Sequence, residues 1–335
     1  MRLPAFDYQA PAHLVEVLSL KASLGQAASI LAGGTDLVNR LRQRLVKPEV
    51  VVSLKNVAEL RTARLEPVHL VLGAGLSLKE ALANQVLRAE FKGLAEALEA
   101  IGHPACQGQA ASLGGNILLE TRCLYYNQSA FFRKGHERCF KAGGQVCLAL
   151  PESKECSSVC LADSAPILLA LSAQVKLASA KAERIIPVAQ LFTGKGEAPF
   201  ALQADEVLTE IWLPRPVGNF GSAFEKLRWR PYLDFALVSA AAAVSLNKDR
   251  VERLRLTIGG AGPAPLLVEE AGRLLGGQKP TEELVVQAAQ AAEAAAAGRI
   301  IDNLGATSEY RRRMVRVVAS KAIQKALARA ARSLS

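Results

Sequence analysis

Four cysteines, Cys123, Cys139, Cys147 and Cys156, stand in one stretch of chain with fifteen, seven and eight residues between them. That irregular spacing does not fit the CxxC pairs of a structural zinc site. It suits an iron–sulfur cluster, whose four thiolates can come from a long excursion wrapped around a compact inorganic core. The flanks, Arg122-Cys-Leu-Tyr-Tyr-Asn-Gln-Ser129 and Arg133-Lys-Gly-His-Glu-Arg-Cys139, are rich in cations and aromatics. Cations and backbone donors near cluster sulfurs offset negative charge and tune the potential. All six cysteines lie between Cys106 and Cys160, not scattered as disulfide staples would be, and in a reducing compartment a local group of thiols reads as metal or redox chemistry. Cys160 follows Cys156 as C-x3-C and could compete as a ligand; it is read as a buried small residue, and Cys106 as structural. His136, within the loop, reads as a solvated loop residue and His103 as a turn residue.

The chain of 335 residues has room for two or three domains, and 50% apolar with 21% charged residues describes a globular protein. No run of about 20 apolar residues spans a membrane, and the start Met1-Arg-Leu-Pro-Ala-Phe6 lacks the apolar core of a secretory signal, so a cytoplasmic protein is expected. The net charge of +10 raises a nucleic-acid partner, but the 41 basic residues are spread along the chain. Their one concentration, Arg311 to Arg332, has Val315, Val318, Ala322 and Leu327 between the charges and reads as an amphipathic helix with a solvated basic face. Neither a nucleic acid nor a membrane is expected as partner, whereas an acidic protein could dock electrostatically.

Helical spacing covers Ala10–Leu20, Asp36–Leu45, Leu78–Ala83 and Phe91–Ile101, and short apolar runs mark strands at Ala28–Ala32, Val50–Leu54, Leu70–Gly75 and Gln174–Ser179. Pro214-Arg-Pro216 punctuates the chain as a domain boundary. Beyond it lie strands at Ser222–Leu227 and Leu254–Ile258 separated by an alanine-rich run, Phe235–Leu246, and then two terminal helices. Ala288–Ala297 is a strong helix former closed by Gly298.

Leu31-Ala-Gly-Gly-Thr-Asp-Leu37 has the composition of a strand-to-helix turn whose bare backbone lets N–H groups approach a pyrophosphate. It is neither GxGxxG nor a P-loop. A second such turn, Ser112-Leu-Gly-Gly-Asn116, sharpens the signal. With Phe6, Tyr8 and Pro11, Gly73-Ala-Gly75, Ile186-Pro187, Lys226 with Arg230 and Asp234, and Tyr310-Arg-Arg312, these turns make the chain resemble, over essentially its whole length, the FAD-binding middle subunit of the molybdenum hydroxylases. The resemblance implies an α+β chain: a two-subdomain FAD-binding domain of the vanillyl-alcohol-oxidase type over residues 1–216 (subdomains about 1–55 and 56–216, iron–sulfur insertion about 120–160), then a C-terminal domain of antiparallel sheet plus helices over 217–335. It places the FAD pyrophosphate on Leu31 to Leu37 and on Ser112, Leu113, Gly114, Gly115 and Asn116, and puts Asp163 and Lys226 near the flavin ring. Where many members carry Arg-Asn before the second turn, this chain has Gly108-Gln109.

The cysteine insertion resembles the loop of the 4-hydroxybenzoyl-CoA reductase β subunit, which implies that Cys123, Cys139, Cys147 and Cys156 hold a [4Fe–4S] cluster. The chain is then expected to be an electron-transfer subunit that itself supplies no catalytic acid, base or nucleophile. Its expected partners are a molybdenum-cofactor large subunit and a [2Fe–2S] small subunit, in a heterotrimer or a dimer of heterotrimers, with an external carrier such as ferredoxin supplying electrons for reductive dehydroxylation of an aromatic acyl-CoA. The alternative is the FAD subunit of an aldehyde or N-heterocycle hydroxylase with outward electron flow. A free-standing flavin oxidase and a zinc-binding scaffold are more remote.

Overall fold

Three sheets organise the chain, in a computed structural model that describes residues 3–332; Met1, Arg2 and the last three residues, which the expected domains and N-terminal stretch include, lie outside it. The first sheet holds β1 (Asp7–Gln9), β2 (Ala28–Leu31) and β3 (Val50–Ser53) in the order β1-β3-β2, all parallel. Parallel neighbours need crossovers, and the helices Leu14–Leu24 and Leu37–Arg42 supply them. Val17, Ala28, Val52, Val57 and Leu60 form the small core of this layer.

The second sheet, antiparallel throughout, comprises β4 (Ala63–Leu65), β5 (His69–Gly73), β6 (Gln174–Ala178), β7 (Glu183–Pro187) and β8 (Val207–Pro214) in the order β4-β5-β8-β6-β7. Between β5 and β6 the chain leaves the sheet for the helices Leu78–Ala83, Gln85–Glu90 and Lys92–Glu99, the second glycine turn, the cysteine loop and the helix Ser164–Ala170. Leu72, Phe91, Leu94, Ile167, Leu168 and Ile211 meet in the core beneath.

The third sheet runs β12-β11-β10-β9, antiparallel, from β9 (Asn219–Leu227), β10 (Val238–Asn247), β11 (Arg250–Gly259) and β12 (Leu266–Leu267). Alanine favours helices, yet the alanine run forms β10, the strand between β9 and β11. Tertiary packing decides it, because successive side chains of a strand point to opposite faces. Ala240, Ala242 and Val244 enter the core under the C-terminal helices, while Ala241 and Ala243 enter the core shared with the second sheet. Small side chains let both layers approach: a Cβ at Gly221 of β9 would fall 2.1 Å from the carbonyl oxygen of Ala326.

Three helices follow, not two: Glu269–Leu275, Glu282–Ala296 and Ser308–Arg332. The alanine helix ends as its composition suggests, with Gly298 at φ +74 just beyond it. No helix among the described residues is long and apolar enough to cross a membrane. The two halves meet through the helix Lys92–Glu99. Gly93 N donates to Ser222 Oγ at 3.1 Å, and Glu96 accepts from Phe224 N and Arg329 NH1 at 3.0 Å each and pairs with Lys325 at 2.9 Å.

Arg311 departs from the solvated basic face expected of the last helix. It is fully buried, and its guanidinium donates to the carbonyls of Leu237 (3.0 Å), Gly260 (2.7 Å) and Ile301. Burial pushes its pKa down to about 10, opposed by Asp302. Arg311→Ala should therefore destabilise the chain by about 3 kcal/mol or more, since it strands buried carbonyls. Urea unfolding of the variant, compared with Arg313→Ala on the exposed side of the same helix, checks this.

Candidate cofactor-binding site

The two glycine turns, about eighty residues apart in sequence, are neighbours in the fold. Gly33 packs so tightly against the second turn's approach that a Cβ there would lie 1.5 Å from the carbonyl oxygen of Ala110. Gly34 has φ +74, a left-handed conformation that glycine adopts freely. At the second turn Ser112 caps the short helix Leu113–Ile117, its Oγ accepting from Gly115 N at 3.0 Å, and Gly114 N donates to Ala74 O at 2.8 Å. The second turn thus spends these amides internally and supplies a close backbone wall.

A cleft of about 530 Å³ runs between the turns. Ala32, Gly33, Gly34, Thr35, Asp36 and Leu37 line it from the first turn, and Ser112, Gly114 and Gly115 from the second. Leu31, Leu113 and Asn116 do not reach it. Leu31 ends β2, Leu113 is in the core, and Asn116 Oδ1 is turned inward to accept from Ser164 N at 3.1 Å and Ser164 Oγ at 2.6 Å. Arg40 and Glu120 also line the cleft, and Arg40 Nε is a buried donor without a partner among the described residues, suited to an anion.

Asp163 and Lys226 are not in this lining. They form a buried ion pair with each other at 2.6 Å across the boundary between the two halves, and Lys226 Nζ also donates to Ala100 O at 3.0 Å. Burial raises the Asp163 pKa against the pull of Lys226, and Asp163 Oδ1 has no hydrogen-bond partner among the described residues. The loop after Lys226 carries its own pair, Arg230 with Asp234.

Among the described residues no three His, Cys, Asp or Glu side chains gather as ligands of a single metal ion. Cys123, Cys139, Cys147 and Cys156 instead line the walls of one small cavity with Tyr126, Lys141 and Ser158. Cross-links hold its rim: Arg122 and Val159 exchange backbone hydrogen bonds at 2.8 Å, Cys123 N donates to Asn127 Oδ1 at 2.8 Å, and Phe140 N donates to Val146 O at 2.8 Å. Burial raises the Cys123 thiol, opposed by the amides of Tyr126 and Tyr125. Burial also acts on Cys147, but hydrogen bonds from Ser157, Leu150 and Ala149 outweigh it and leave the thiol lowered. Burial raises Cys156, whose Sγ lies 3.2 Å from Ser158 Oγ. Cys160 is buried outside this cavity, its thiol pushed up to about 11 by burial, whereas Cys106 is exposed rather than structural. His136 is exposed and stacks on Phe132.

Residues 4–216 match the family described as the FAD binding domain in molybdopterin dehydrogenase, and residues 222–326 match the CO dehydrogenase flavoprotein C-terminal domain. The chain belongs to the FAD-binding medium subunits of the molybdenum hydroxylases. It is an oxidoreductase subunit that binds FAD. It is 27% identical over 330 residues to the carbon monoxide dehydrogenase medium chain of Afipia carboxidovorans, covering 97% of this chain and 98% of that one. Identity to the nicotinate dehydrogenase FAD-subunit of Eubacterium barkeri is 27% over 281 residues, 83% of this chain and 82% of that one. A carbon monoxide dehydrogenase structure from Hydrogenophaga pseudoflava superposes with a TM-score of 0.80 at 25% identity, covering 98% of this chain and 99% of that one. The expected fold class stands: an FAD-binding domain of mixed helix and sheet, then the C-terminal flavoprotein domain. The finer likeness to 4-hydroxybenzoyl-CoA reductase gains no support from these relatives, which are named as carbon monoxide and nicotinate dehydrogenase subunits.

Sequence reasoning missed Arg40 and Glu120, and it read Lys141 as a cation for an acidic carrier rather than as part of the thiol cavity. Only Arg40 carried a local signal, standing one helical turn after Asp36. Gly33→Ala should push the two turns apart and weaken FAD binding by at least about tenfold with the fold retained, because the neighbouring atom is backbone and cannot swing away. Flavin fluorescence titration with far-UV circular dichroism measures both.

Proposed function

We propose that this chain is the electron-transfer subunit of a molybdenum hydroxylase complex that oxidises its substrate and passes electrons outward, with FAD in the glycine-lined cleft and a [4Fe–4S] cluster on the cysteine loop. What carries the reading is the pairing of the two turns across one cleft beside a second cavity lined by all four loop cysteines. The outward direction is supported by relatives named as carbon monoxide, nicotinate and xanthine dehydrogenases.

Ala32 to Leu37 and Ser112, Gly114 and Gly115 would hold the FAD, with Arg40 offering a charged donor to its anionic part. Cys123, Cys139, Cys147 and Cys156 would hold the cluster. Four thiols on the walls of one cavity supply the four-thiolate ligand set that a [4Fe–4S] core takes. Asp163 and Lys226, which the resemblance puts near the flavin ring, are in this reading a charge-compensated pair outside the cleft lining. The two groups together supply one- and two-electron redox chemistry that side chains lack. The chain's own residues bind, orient and exclude water, and the organic substrate belongs to a molybdenum-bearing large subunit joined through a [2Fe–2S] small subunit, in a heterotrimer or its dimer. Four cysteines given to a cluster and two left as thiols suit the reducing cytoplasm.

A second reading reverses the flow: electrons enter from a ferredoxin-like carrier, as in a 4-hydroxybenzoyl-CoA reductase. It is favoured by a cleft of about 700 Å³ beside Cys139 that carries Arg44, Lys47, Arg133, Lys134 and Arg138. Lys141 is not part of such a docking face, because its side chain is buried on Glu120. Stopped-flow reduction of the assembled complex separates the directions. Rapid flavin bleaching by an N-heterocycle or aldehyde supports the outward reading, and bleaching only by reduced ferredoxin replaces it with the inward one.

Cys139→Ser should strip most of the iron while leaving FAD bound, since the thiolates sit on an insertion outside the glycine turns. Anaerobic iron and flavin analysis tests this, and full iron content in the variant would remove the cluster assignment. The isolated chain should accept electrons from dithionite yet turn over no organic substrate. Turnover by the purified single chain would refute the subunit reading.

A further inference from the structure

A short line of charges runs between the two cavities. Glu120 stands three residues before Cys123 and lines the FAD cleft. Its two carboxylate oxygens serve different cations: Oε2 meets Arg40 NH2 at 3.2 Å, and Oε1 accepts from Lys141 Nζ at 2.8 Å. Arg40 lines the FAD cleft and Lys141 the thiol cavity. Lys141 is held closely, with its side chain 4% exposed, its Nζ donating to Thr121 O at 3.0 Å and lying 5.4 Å from the ring centroid of Tyr126. A parallel link joins the same places: Asp36 of the first turn lies 4.0 Å from Arg40 and accepts from Arg122, the neighbour of Cys123.

We propose that Glu120 is a positioning residue shared by the two redox sites, one carboxylate holding Arg40 at the FAD cleft and Lys141 at the thiol cavity. The proposal rests on the FAD-and-cluster reading above. Charges this little exposed are weakly screened by solvent. The potential of a bound redox group follows the net charge and donors around it. Glu120 therefore sets the charge at both places at once, and it fixes where the two cations point. Neutralising it removes one negative charge from beside each group, so adding an electron becomes easier at both.

The test uses the assembled complex in four forms: wild type, Glu120→Gln, Glu120→Asp and Glu152→Gln, the last an exposed acid elsewhere on the cysteine loop. Iron and flavin are counted first. Anaerobic redox titration then follows the flavin by absorbance and the [4Fe–4S] signal by electron paramagnetic resonance. Glu120→Gln should raise both midpoint potentials, Glu120→Asp should restore most of each shift by keeping the charge, and Glu152→Gln should move neither. Should Glu120→Gln lose its cofactors, Lys141→Met decides the point by lowering the cluster potential more than the flavin potential. A Glu120→Gln complex with either potential at its wild-type value would overturn the sharing, as would a Lys141→Met complex with neither moved. Wild-type complex that carries flavin but no iron beyond that of its [2Fe–2S] small subunit would instead overturn the cluster reading and the sharing with it.

Discussion

The contact between the backbone of residue 33 and the carbonyl of Ala110 is the constraint from which the rest of the site is built. It joins the small parallel sheet to the second subdomain at a distance that no side chain permits. The second turn is seated the same way against the strand end of β5, where a Cβ at Gly114 would meet Ala74 Cβ at 2.8 Å. Because the cysteine loop leaves the chain soon after that turn, the two contacts also determine where the loop begins. A cleft and a cavity side by side follow from two close approaches of main chain.

These glycine turns could be read from sequence because glycine there answers a local need that no other residue meets. The cysteines could be read for a similar reason, as their chemistry travels with the residue type. Position was another matter. Asp163 and Lys226 came from the resemblance, as neighbours of the flavin ring; the pair they form with each other spans residues 63 apart at the boundary between the halves, and no local pattern announces it. The bridge from Arg40 to Glu120 to Lys141 spans about a hundred residues, and nothing in the spacing of charges announces it. Arg311 lies one turn before Val315 and on the same face, so its burial was present in the heptad-like spacing. What hid it is that three carbonyls from distant turns converge on that spot, which compensates a cost that an arginine in a core would otherwise carry.

The alanine strand shows why local preference fails most where the structure is most crowded. Taken alone, Ala240 to Ala243 favours a helix. Flanked by β9 and β11 and covered on both faces, it takes the extended form because alternation feeds two cores at once. Sequence boundaries were better served: helix Leu78–Ala83 and strand Val50–Ser53 fall within a residue of expectation, since a Ser77 capping box and a run of β-branched valines speak locally.

The two halves of the chain also hold each other. Glu96, in the first half, is the counter-charge for Arg329 and Lys325 near the far end of the last helix, and Gly93 lets that half sit directly on β9. Expressing residues 1–216 alone would thus leave Glu96 without its cations and bare an alanine-lined face that is interior in the whole chain. The proline-marked junction near residue 214 separates two families of sequence, but it is no place to divide the protein: a truncated flavin half would be expected to aggregate rather than to work as a smaller flavoprotein.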